Sequence, residues 1–164
     1  MIVKSKKLTA DSFSKFGKIV DIPQSPPSVE SETVKYWSTI ATFMLDGEIE
    51  VGICIVKKHS NILEFMERHV QTPELITPIE GDFILPVAVS RNLVDPEETP
   101  IAEDVEAFYI NEKQAVVMNK GVWHWAPFPV REEASFFVIF KKETSKRDTV
   151  VKSFRDGKKV IVAR

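Results

Sequence analysis

From residue 33 onward the chain alternates short segments rich in β-branched and aromatic residues with turn signals, and never sustains a helical period. About ten such segments at regular spacing restrict the fold to an antiparallel sandwich or barrel. Residues 33–45 lead through Asp46-Gly47, a strong hairpin signal, into residues 48–57, where Ile49, Val51, Ile53 and Ile55 share one face. Residues 61–69 read as a curved strand, and residues 75–79, 83–90, 105–110 and 115–118 continue the series. Residues 135–141, with Phe136, Phe137, Val138, Ile139 and Phe140, are apolar on both faces and read as a central strand. Residues 150–154 and 159–162 flank Asp156-Gly157, a further hairpin signal. Ahead of the strands, Thr9 can cap and Gly17 can end a short helix carrying Phe13 and Phe16 on one stripe. The expected fold is mainly β: an antiparallel barrel of jelly-roll type with a short N-terminal helix, in one domain over residues 1–164.

Composition narrows the partners. A net charge of −2 argues against non-specific nucleic-acid binding. No apolar run approaches the roughly 20 residues that span a bilayer, so no membrane partner is expected. Residues 1–7 are charged with no apolar segment behind them, so no signal peptide is expected either. The single cysteine, Cys54, excludes an internal disulfide and fits a reducing cytoplasm. Its place in an apolar strand reads as a buried, inert thiol.

The chemistry concentrates in residues 67–81 and 119–124. Glu67 and His69 are two apart, so a strand points both to one face. Glu74 follows the Thr72-Pro73 turn and falls on the paired strand. Asn119-Lys120-Gly121-Val122-Trp123-His124 brings a second histidine after a glycine turn. The chain has three histidines, and two of them fall in these places; the third, His59, reads as a surface turn residue. Glu67, His69, Glu74 and His124 together make a mixed imidazole and carboxylate set that suits Ni, Mn, Zn or Fe. The same histidines also fit a metal-free pocket in which both are simply hydrogen-bonded. Alternation turns Arg68 away from Glu67 and His69, toward an ion pair or a subunit contact. It also places Trp123 and Trp125 on one face, opposite His124, against a second layer or a partner subunit. Trp37 reads as core. Lys120, in the turn, offers a flexible cation to a substrate carboxylate. Asn119 and Tyr109 are further candidate substrate contacts.

These residues resemble the two cupin motifs, His-x-His-x3–4-Glu-x6-Gly and Pro-x-Gly-x-x-His. His69, Glu74 and Gly81 match the second half of the first, with Glu67 at its first histidine. Residues 119–124 match the second, with Asn119 for proline. Most of the chain further resembles the ureidoglycolate lyase family. The resembling stretches are residues 8–20, Glu67-Arg68-His69, residues 79–88, and residues 108–127 around Val122-Trp123-His124. The chain departs from that family's pattern at Asn119 and Trp125, where histidines are usual, and at Glu74, where glutamine is. The resemblance implies a cupin barrel that splits ureidoglycolate into glyoxylate and urea during allantoin breakdown. It implies a divalent metal, a small carboxylate substrate and a homodimer. Glu67, Lys120 and His124 would then act in catalysis, with Glu67 or Glu74 passing a proton to the leaving nitrogen. The alternatives are another metal-dependent cupin enzyme, acting on a small hydroxy or keto acid or a sugar, and a non-catalytic cupin that binds a small carboxylate.

Overall fold

Alternating apolar side chains along short strands build two curled sheets that face one another across a shared core. The computed structural model describes residues 1–164. In chain order the elements are β1 (Ile2–Lys7), α1 (Ala10–Phe13), β2 (Gly17–Val20), β3 (Val29–Glu30), β4 (Lys35–Tyr36) and β5 (Ile49–Lys57). There follow β6 (Ile62–Leu63), β7 (Phe65–Arg68), β8 (Glu74–Glu80), β9 (Phe83–Ala88), β10 (Glu106–Ile110) and β11 (Ala115–Met118). The chain ends with β12 (Trp123–His124), β13 (Phe128–Pro129), β14 (Glu133–Lys141), α2 (Thr144–Arg147), β15 (Val150–Ser153) and β16 (Val160–Ala163). The larger sheet runs β15-β7-β12-β9-β10-β1-β16-β6, with β13 also on β9. The smaller runs β2-β11-β8-β14-β5, and β3 and β4 form a separate ribbon.

The two faces of the larger sheet belong to two different cores. Phe83, Leu85 and Val87 of β9 point inward, to join Phe108 and Ile110 of β10, and Ile76, Val116 and Phe136 from the smaller sheet. Ile84 and Ala88 point outward, into a second core with Met66, Trp123, Phe128 and Phe154. That is why β9 is apolar at every position. Helix α1 contributes Phe13 to the inner core, and burying a side chain of that size is worth about 1.5–3 kcal/mol. Thr9 holds the start of α1 through a capping box with Ser12, as its place in the sequence predicts. The helix stops sooner than expected, and Gly17 opens β2 instead of merely ending it. There a Cβ would stand 2.9 Å from the Val117 carbonyl carbon, so only glycine lets β2 approach β11 this closely.

Four expectations are corrected. β1 is a strand, and it lies parallel to both β10 and β16, so the barrel is not wholly antiparallel. Of residues 33–45 only Lys35–Tyr36 is strand, paired with β3. The hairpin onto β5 does not form, although Gly47 adopts φ 93°. Trp37 accordingly joins neither core, and its indole N–H donates to the Ser25 carbonyl at 2.8 Å. β15 and β16 do not pair with each other: β15 lies on β7, and β16 between β1 and β6. The shared face of Ile49, Val51, Ile53 and Ile55 does exist, but it looks outward, with each residue 52–64% exposed.

Candidate metal centre

Strand β7 delivers Glu67 inward, and His69 follows immediately after it. His124, on β12, stands directly across from Glu67 in the backbone pairing. Glu74 opens β8 in the opposite sheet. Gly121, at φ 78°, makes the turn that feeds β12, and its N–H donates to the His69 carbonyl at 2.6 Å. The four side chains thereby meet inside the barrel. One ligand atom each from Glu67, His69 and His124 lies within 4.8 Å of the other two. Glu74 Oε2 is 3.0 Å from His124 Nε2 and 3.5 Å from His69 Nε2, and Glu67 Oε1 is 3.7 Å from His124 Nε2.

The backbone fixes which nitrogen of each ring faces the centre. His69 Nδ1–H donates to the Asp148 carbonyl at 2.9 Å, and His124 Nδ1–H donates to the Val122 carbonyl at 3.0 Å. A carbonyl can only accept, so each Nε2 is left to face the carboxylates. Asp148 also accepts from the Val70 and Gln71 N–H groups, which pins the chain just beyond His69. Glu74 Oε2 and His124 Nε2 are buried and, despite their closeness, lack the alignment of a hydrogen bond. Two unpartnered buried atoms aimed at one point, among imidazole and carboxylate donors, fit a divalent cation. Burial alone would lower the His124 pKa, but the charge and contact of Glu74, the charge of Glu67 and the Val122 carbonyl together raise it to about 9. Burial likewise opposes ionisation of Glu74, yet His124 and then His69 hold its pKa below the ordinary value.

A cavity of about 430 Å³ opens onto the four side chains. Its wall is partly apolar, with Ile76, Phe136 and Trp125, and it contains Glu50, Glu67 and Glu74 but no lysine or arginine. Lys120 therefore does not serve this cavity: it is exposed in a separate hollow with Lys18 and Met44. Asn119 lines that same hollow and borders a narrow gap behind the two imidazoles, but not the cavity itself. Tyr109 is excluded by alternation, since Phe108 and Ile110 take the inward positions of β10. Its hydroxyl donates to Asp82, on the outer side. Trp125 packs partly against the outer core that holds Trp123, as alternation expects, and also reaches the cavity, because β12 ends at His124 and strict alternation stops there. Cys54 is half-buried on the cavity wall. Burial, then the charges of Glu67 and Glu74, push its thiol pKa up, in keeping with an unreactive thiol. Asp148 had no signal in the sequence: it is one of three acids in a basic tail, and only folding brings it to His69.

A two-sheet β-barrel with imidazoles and carboxylates converging between its sheets defines a cupin. The profile of the ureidoglycolate lyase family matches residues 1–161, and the chain belongs to that family. No curated protein sequence matches it. Solved structures similar to parts of the chain include RmlC from Streptococcus suis in complex with dTDP-D-xylose. It shows 9% identity and a TM-score of 0.41 over 58% of this chain and 44% of that one. An oxalate decarboxylase formate complex from Lactobacillus farciminis gives 14% identity and a TM-score of 0.44, over 65% of this chain and 27% of that one. A Bacillus subtilis oxalate decarboxylase gives 16% and 0.44, over 65% and 24%. The chain spans less than half the length of each of these chains.

Proposed function

We propose that the cavity cleaves ureidoglycolate into glyoxylate and urea, with a divalent metal held by His69, His124, Glu74 and Glu67. One observation carries the reading. The cavity brings three carboxylates to its substrate and no lysine or arginine, so an anionic substrate needs a cation at the convergence of the two Nε2 atoms. When bound, such an ion supplies positive charge against a substrate carboxylate and a developing alkoxide.

The chain's own residues supply the rest. In the reaction the carbon–nitrogen bond breaks, the hydroxyl oxygen becomes a carbonyl, and one proton passes from that hydroxyl to the leaving nitrogen. No water is consumed. A single carboxylate can accept that proton and then donate it. Glu67 is the better placed for this, because it stays partly open to the cavity while Glu74 is buried. Trp125, Ile76 and Phe136 line the cavity with apolar surface and limit the water that reaches the bond.

The test is release of glyoxylate and urea in equal amounts by purified protein supplied in turn with Ni, Mn, Zn and Fe. No release with any of them ends the substrate assignment. Turnover of a different α-hydroxy acid in the same assay would redirect it to another cupin chemistry.

The homodimer belongs to the same reading. The outward face of β5 is its support, because an apolar sheet face of this size is what a partner subunit covers. The reading also takes residues 1–164 as one domain acting in the cytoplasm.

A further inference from the structure

Arg68 has no part in the chemistry above, yet it is 1% exposed, and a guanidinium is seldom buried so completely. It stands between Glu67 and His69 and points the other way, into the outer core. One terminal nitrogen donates to the Ser90 hydroxyl at 2.8 Å, to the Asn92 carbonyl at 3.3 Å and to the Glu98 carboxylate. The other donates to the Asp95 carbonyl. Its central carbon lies over the Trp123 ring, 4.7 Å from the ring centroid. Trp123 is itself fully buried and immediately precedes His124.

The backbone between these strands is weak. β12 contains two residues, and its pairing with β7 consists of one residue pair, His124 with Glu67. A slip of one position there would turn His124 out of the barrel. Besides the Glu67–His124 approach on the inner face, a side-chain contact ties the two strands on the opposite face: Arg68, neighbour of Glu67 and His69, against Trp123, neighbour of His124. The loop carrying Ser90, Asp95 and Glu98 holds the guanidinium over the indole.

We infer that Arg68 and Trp123 are positioning residues, a clamp on the outer face that sets the separation of His69, His124 and Glu67 on the inner one. The inference builds on the metal reading, but its geometry stands without it.

The experiment compares Arg68→Lys and Trp123→Phe with Phe154→Leu, which loosens the same outer core away from the stack. The ring signals of His69 and His124 are followed by NMR in chelator-treated protein, and Co(II) affinity and visible spectrum are followed in loaded protein. Arg68→Lys keeps a cation for Glu98 but loses the planar fork. It is expected to move both sets of ring signals, lower cobalt affinity about 10–100-fold and change the cobalt spectrum. Trp123→Phe is expected to do the same to a smaller degree, and Phe154→Leu to do neither. Wild-type ring signals and cobalt affinity in folded Arg68→Lys would overturn the clamp, as would equal changes in Phe154→Leu. If Arg68→Lys fails to fold, Trp123→Phe decides on the same two measurements. If the unmodified protein takes up no cobalt, the metal reading falls, and the ring signals still decide the clamp.

Discussion

At the scale of single residues, the two imidazoles and two carboxylates were legible because each depends only on local rules. A two-residue spacing put Glu67 and His69 on one face, and a turn on each side returned Glu74 and His124 to them. Lys120 and Tyr109 were not legible, because direction at a turn and the inward parity of β10 are set by packing partners far away in sequence. Lys120→Ala should therefore change kcat/KM for the cleavage less than about twofold, within the range of an ordinary surface change. Glu67→Gln should lower kcat about 10²–10⁴-fold, as loss of a proton-transfer group does. Steady-state kinetics on the two variants checks both. The Glu74–His124 pair gives a pH dependence. His124 is raised from 6.5 to about 9 in the folded chain, so its contribution to stability is full below pH 6.5 and is lost as pH rises through 9. Glu74 is lowered from 4.5, so its contribution is present above that pH and is lost on acidification. Urea midpoints of chelator-treated protein should fall between pH 6.5 and 9.5, and Glu74→Gln should flatten that fall.

At the scale of elements, the strands with long apolar runs or strict alternation were the easiest to read. β9 and β14 announce themselves by unbroken apolar runs, and β5 by strict alternation. The segment before β5 does not add to the sheet although β5 leaves an edge free: alternation and a good turn residue do not by themselves make a strand, and only Lys35–Tyr36 pairs, with β3. The long strand expected over residues 61–69 appears as β6 and β7, since its first part pairs with β16 and its second with β12 and β15. Close approach between elements yields a further prediction. Gly17→Ala should push β2 off β11, destabilising the protein by about 1–3 kcal/mol. For a chain of this size that is a fall in Tm of about 2–10 °C, measurable by calorimetry.

At the scale of the whole molecule, the larger sheet is covered on both sides around β9, and the smaller has one side open at β5. Sequence could show that Ile49, Val51, Ile53 and Ile55 share a face. Which side that face takes depends on how the sheet curls, and no local pattern encodes it. Ile53→Lys should leave the barrel folded and halve the mass measured by light scattering, while an unchanged mass would move the dimer contact elsewhere. A different consequence follows from β1, held in parallel between β10 and β16, with Ile2 beside Ile161 and Ser5 beside Ala107. Residues 2–4 must wait for residues 161–163, far along the chain, before their sheet can knit together. Closure of the barrel is thus a long-range step, and a chain emerging from the ribosome carries that seam unsealed until β16 has followed β1 out.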